Sequence, residues 1–248
     1  MIYSDNDNDV IKSMEDWQRI FTNTKKEKHW KEGRSAYSIA NFMLNCNGEE
    51  KLVNSLKIAL NMNIHFDKAT PELEVRFDSF GHGREHDLGI WGHTDDNKKV
   101  FIGIESKVDE PFDDTIGEEY LEGKANELSG ERTNKVLRIE NLLKKSIVKI
   151  TKKTFDLRYQ LLTAVFGTIA AEDNGVKADY SIMVIIVFKT KLYDDEKGKQ
   201  NYKDFCNFIK EVPAMELNKN DSSEAYSLKI DNKDLDLVYL TFQSPIEK

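Results

Sequence analysis

The chain has 248 residues, 39% hydrophobic and 32% charged, a balance that supports one elaborated globular domain and excludes extended disorder. Its formal charge of −8 argues against a broad, sequence-independent nucleic-acid surface, because clustered lysine and arginine supply most of the affinity for phosphates. The acidic start, residues 1–9, shows neither a secretory signal nor an apolar span, and Cys46 and Cys206 lack the paired spacing of a zinc or redox site. The expectation is therefore a cytoplasmic protein, without a membrane segment, whose two thiols are reduced and buried.

Residues 10–30 read as a helix with Val10, Met14, Trp17, Ile20 and Phe21 on one stripe. A second helix begins near Ser35, buries Ala36, Ile39, Ala40 and Met43, and ends at Asn47-Gly48, residues that tolerate positive φ. Residues 49–60 form a third helix, whose apolar positions Leu52, Val53, Leu56, Ile58, Ala59 and Leu60 imply substantial burial. At Thr70-Pro71 the period changes to alternation: Leu73, Val75 and Phe77 point one way, Glu74, Arg76 and Asp78 the other. After the turn Gly81-His82-Gly83, residues 86–93 and 99–108 form a β-hairpin about Asp95-Asp96-Asn97. The charged stretch 109–131 mixes loop and short helix. Helices follow over 133–150 and 155–172, and the β-branched run 180–188 has the length of a fully buried central strand. The tail carries an edge strand over 237–242. One domain results, with N-terminal helices in 1–48, a core over about 49–188 and a C-terminal extension in 189–248.

Closing the hairpin pairs Asp87 with Glu105, Gly89 with Gly103 and Trp91 with Phe101. Opposed residues of an antiparallel pair have Cβ atoms about 4.5–5.5 Å apart, close enough for two carboxylates to hold one divalent cation. Lys107 then shares the face of Glu105, and the paired glycines clear the floor beside them. Val100, Ile102, Ile104, Leu88 and Ile90 fill the opposite face as core. Without a cation the facing carboxylates repel, raising one pKa, and hard oxygen ligands select Mg²⁺ or Mn²⁺.

Plainer readings compete. Asp87, Glu105 and Lys107 could form a cross-strand ion pair on a solvated face; Glu74 is an alternative metal ligand from the neighbouring strand or a plain solvent-facing acid, and Glu49 and Glu50 could simply favour a helix N-terminus. His82, His86 and His93 lack the spacing of a zinc site and read as surface residues. Gly81-His82-Gly83 has no following Gly-Lys-Ser/Thr and is a turn, not a phosphate loop. Arg34 with Ser35 at a helix start could bind phosphate, although capping by Ser35 explains the same residues.

Asp87, an intervening stretch, then Glu105-Ser106-Lys107 on the next strand resembles the D…ExK signature of the PD-(D/E)XK, or restriction-endonuclease-like, phosphodiesterases. His86-Asp87 stands where that family usually has Pro-Asp. The resemblance implies an α/β fold with an αβββαβ core, a central mixed sheet flanked by helices, and Mg²⁺- or Mn²⁺-dependent cleavage of nucleic acid, DNA foremost. It implies Asp87 and Glu105 as metal ligands, a helical glutamate, Glu50 or Glu49, as a third, and Lys107 assisting the water nucleophile. Arg158-Tyr159-Gln160 resembles the helical motif of the lambda-exonuclease-like branch, which implies a site role for Gln160 and a substrate contact for Arg158; Arg34 is a substrate candidate only through the helix start described above. Many such enzymes act as dimers, so a homodimer is admitted. The alternative within the same fold is an inactive member that binds nucleic acid or protein.

Overall fold

The structure, a computed structural model, describes residues 1–22, 24–220 and 223–243. In chain order the elements are β1 (Ile2–Tyr3), α1 (Met14–Arg19), α2 (Ser35–Asn45), α3 (Gly48–Leu60), β2 (Ile64–Val75), β3 (Arg84–Thr94), β4 (Lys99–Lys107), α4 (Ile116–Leu128), α5 (Lys135–Ser146) and α6 (Tyr159–Ala170). Then come β5 (Glu172–Asp173), β6 (Val176–Lys177), β7 (Tyr180–Lys189), α7 (Asp195–Glu211), β8 (Ala214–Lys219), β9 (Ser223–Ile230) and β10 (Lys233–Gln243). Eight strands form one mixed sheet in the order β1-β2-β3-β4-β7-β10-β9-β8, and β5 pairs only with β6.

The run of β-branched residues in β7 is continuous because both of its faces are covered. Ile182, Val184 and Ile186 pack with Leu88, Ile90, Val100, Ile102 and Ile104 under Trp17 of α1, Ile39 and Phe42 of α2, and Leu52 and Leu56 of α3. Met183, Ile185 and Val187 face the other way, against Leu161, Leu162 and Val165 of α6 and Phe205 and Phe208 of α7. Helices thus flank a central mixed sheet. Full burial of each large aliphatic side chain is worth about 1.5–3 kcal/mol, so these two rows dominate the stability.

Several boundaries differ from the sequence reading. The 10–30 helix is only the six residues of α1, started by a capping box between Ser13 and Asp16. β2 begins at Ile64, not Thr70, and carries Pro71 inside it. Proline is tolerated there because β1 pairs only with Lys68 and Ala69, leaving the outer side of β2 without a strand partner at Pro71. The charged stretch contains α4, capped reciprocally by Thr115 and Glu118. The largest correction concerns the tail. β10 is not an edge strand: it runs parallel to β7, with Leu237 beside Met183, and antiparallel to β9, so the C-terminal segment supplies three strands of the central sheet.

Candidate functional site

The β3–β4 ladder runs from His93–Lys99 through Trp91–Phe101 and Gly89–Gly103 to Leu88–Ile104, the register expected from the turn. It ends there, so Asp87 and Glu105 are not a directly opposed pair. Side-chain direction also reverses at this point. Leu88 and Ile90 lie in the core beneath α2 and α3, whereas His86 lies on the opposite face, against Gly103, Gly167 and Phe101. On β2 the partner positions pass from Pro71–Leu88 to Leu73–His86, and Glu72 between them holds a φ of 52°, rare for a residue with a side chain. Asp87 therefore turns toward β4, where its Oδ2 accepts the Ser106 backbone N–H at 2.6 Å and the Ser106 hydroxyl at 2.8 Å.

Glu105 is fully buried on the α6 face. Arg84 donates through Nε at 3.0 Å and through a second guanidinium nitrogen, and Gln160 of α6 donates through Nε2 at 3.1 Å. The His86 ring stands 3.4 Å away without hydrogen-bond alignment, and neither ring nitrogen has a hydrogen-bond partner among the described residues. Burial alone would raise the Glu105 carboxyl, but the Arg84 guanidinium and the His86 ring reverse that and bring it down to about 2. Asp87 moves the other way: burial and the Glu105 charge push it up, with Lys107 and Ser106 opposing. Glu72 is pushed up to about 8 by burial and by Asp87, even though Lys26 donates to it at 2.6 Å. Lys107, 7% exposed, has no carboxylate within ion-pair distance among the described residues, and its ammonium lies 5.4 Å from the centre of the Phe112 ring.

The structure gathers Asp87, Glu105, Lys107 and Gln160 and leaves the other expected residues elsewhere. Arg158 is tied to Asp204 at 2.7 Å and to the Asp113 carbonyl at 2.8 Å. Glu50 is exposed on α3, Glu49 pairs with the N-terminal amine, and Glu74 accepts the Gly83 N–H at 2.7 Å. Arg34 pairs with Asp109, and the helix start behind it is not capped by Ser35, the simpler of the two expectations: the Glu110 carboxylate takes the Ser35 N–H at 3.3 Å, so the chain's own anion also stands where a phosphate could have bound. The glycine floor is not open either. A Cβ on Gly89 would collide with Leu73, and one on Gly103 would come within 2.8 Å of the His86 ring, so the glycines admit these side chains instead. Among the histidines, His93 is a half-exposed partner of Asp67, as expected of a surface residue, while His86 is buried.

Arg84, His86 and Glu72 were the residues missed. Alternation carried back from the hairpin would have placed Arg84 and His86 together, but on the core face; only the reversal at Asp87 aims them at Glu105. Among the described residues no three His, Cys, Asp or Glu side chains converge into a ready cation cage. The donor chemistry nevertheless suits a hard divalent ion, since Glu72 and Asp87 are crowded carboxylates held above their ordinary pKa. Any cation on Glu105 must compete with Arg84 for the same oxygens.

Fold and cluster together define a mixed α/β protein whose central sheet buries a carboxylate–cation network at the ends of two neighbouring strands. The chain belongs to the family described as a domain of unknown function, DUF6946, whose model matches residues 10–244. No curated protein and no solved structure matches it. Among the described residues no helix is long and apolar enough to cross a membrane.

Proposed function

We propose that this protein hydrolyses phosphodiester bonds of nucleic acid, DNA foremost, with a divalent cation held by Asp87 and Glu105 and with Lys107 beside them. The observation that carries the reading is Lys107, a buried ammonium without an ion-pair partner among the described residues, next to carboxylates that crowd one another. A buried ammonium with no carboxylate in direct contact is costly, and a site that receives a phosphate accounts for keeping it. The element order supports the finer fold assignment: α3, β2, β3, β4, α6 and β7 follow the αβββαβ pattern, with those four strands contiguous in the sheet and β4 parallel to β7. On this reading α4 and α5 are insertions.

Mg²⁺ or Mn²⁺, when bound, supplies positive charge and acidifies a water. Ser106 keeps the Asp87 carboxylate aligned, and the Gln160 amide orients Glu105. Glu72, whose carboxyl the Asp87 charge helps to push up, takes the place of the exposed Glu50 as the third carboxylate. Lys107 meets the negative charge that develops on the phosphate oxygens. The free cysteines Cys46 and Cys206 suit a reducing cytoplasm. A second reading, a binding module that does not cut, draws on the two-pronged Arg84–Glu105 contact, which saturates one ligand.

Mn²⁺ titration calorimetry and cleavage of labelled DNA separate the two. The wild type should bind Mn²⁺ and cut, Asp87→Asn should lose both, and Lys107→Met should keep metal binding while cutting at least about 100-fold more slowly. Wild-type rates in Lys107→Met overturn the mechanism. Binding of nucleic acid without cleavage at any Mn²⁺ concentration selects the second reading.

A further inference from the structure

We propose that the cleft between α7 and the ends of β7 and β10 is a subsite for unstacked nucleotides of a single strand, alongside the candidate site. The nature of the ligand rests on the phosphodiester reading; the cleft itself does not.

Its position follows from register. Glu105 lies beside Ile185 and Ile185 beside Tyr239, while Lys107 lies beside Val187 and Val187 beside Thr241, so the two rows continue from the candidate site into the cleft. Two strand spacings separate Lys107 from Thr241, about 10 Å on one face of the sheet. The cleft holds about 410 Å³, and among the described residues three lysines and one glutamate line it, a net positive lining in a chain of charge −8.

The lining combines cations with rings. Lys189 has no ion pair among the described residues, and its ammonium lies 5.6 Å from the centre of the Tyr193 ring. Tyr193 packs so closely on α7 that its hydroxyl occupies the space a Cβ at residue 198 would need, which accounts for Gly198 inside the helix. Glu224 is satisfied internally: it accepts the Tyr202 hydroxyl at 2.5 Å and the Tyr226 hydroxyl at 2.9 Å, and Lys219 pairs with it at 3.1 Å. It thereby fixes Tyr202, whose ring meets Tyr239 edge-on at 5.6 Å, and its charge is neutralised. Among the described residues Lys199 pairs only with the exposed Glu196 on its own helix. Ring faces accept any base by stacking, and ammonium groups accept the phosphates between bases. A duplex keeps its bases stacked inward and has none to offer such a cleft, so the fitting ligand is single-stranded.

The test uses the full chain in EDTA, with fluorescence anisotropy of a labelled oligothymidylate of about ten nucleotides and of a duplex of equal length. The single strand should bind more tightly than the duplex. Lys189→Glu and Tyr193→Leu should each weaken it by roughly tenfold at unchanged melting temperature, and Lys189→Arg should restore it. Equal affinity for the two probes, or wild-type affinity in Lys189→Glu, overturns the proposal; if Tyr193→Leu unfolds, Lys189→Glu decides alone. Mn²⁺-dependent cutting by a wild type that fails to bind the oligothymidylate in EDTA sinks the subsite and spares the nuclease reading. Tight binding without cutting does the reverse.

Discussion

The β3–β4 hairpin has two halves built on opposite rules. From His93–Lys99 to Leu88–Ile104 the ladder is unbroken, and the side chains between are apolar or glycine on both faces. From Asp87 and Glu105 onward the β3–β4 pairing stops, side-chain direction in β3 reverses, and Arg84, His86, Glu105 and Lys107 are packed on the face where the other half holds aromatic rings and glycines. The first half contributes hydrophobic stabilisation that tolerates no polar atom; the second carries a desolvation cost that the first offsets. A sheet can present charge in a dry interior when most of the same strand is packed this tightly.

The sharpest way to break this contrast is to remove charge from the irregular half. Glu105→Ala leaves Arg84 without its carboxylate and should cost about 3–5 kcal/mol in urea unfolding, the penalty of an orphaned buried ion. A loss below that of Ile104→Val, about 0.5–1.5 kcal/mol, would show that the network is not sequestered from water. Next, Ile102→Ala in the regular half should lose about 3 kcal/mol while Mn²⁺ affinity by calorimetry stays unchanged. Gly103→Ala sits at the boundary: its methyl would lie 2.5 Å from Thr168 Oγ1 as well as against the His86 ring, an overpacking worth about 1–3 kcal/mol.

A smaller effect is the pH dependence set by Glu72. Its carboxyl is raised from 4.5 to about 8 in the fold, so between those values the folded chain keeps a proton that the unfolded chain has released. Stability should therefore fall as pH rises through that window and level off above it, and Glu72→Gln should flatten the slope. Mn²⁺ should flatten it too if Glu72 is a ligand. Least of all, Glu50→Ala should leave metal affinity unchanged and stability within about 0.5 kcal/mol, whereas a drop in affinity would return the third ligand to α3.

How far the site could be read from the chain differs residue by residue. Gln160 was found through its place on the helix after the hairpin, and Lys107 by counting two from Glu105. Glu50 was misplaced because a glutamate at a helix start looks the same in sequence whether or not the helix approaches the sheet at that point. Gly103 was read as empty space for a ligand, since a missing side chain does not say which neighbour fills the gap. The run 237–242 was placed at an edge because β-propensity carries no information about what lies on either side of a strand.

The sequence by itself determined the hairpin, its register as far as Leu88–Ile104 and the two-sided burial of residues 182–188, because turn chemistry and hydrophobic period act between residues close along the chain. Only the tertiary structure decided that β10 enters the sheet beside β7, that Arg84 rather than open space meets Glu105, and that burial and the Asp87 charge push the Glu72 carboxyl up. Those arrangements join different strands, and their energies depend on burial and distance, quantities that arise only when the strands have met.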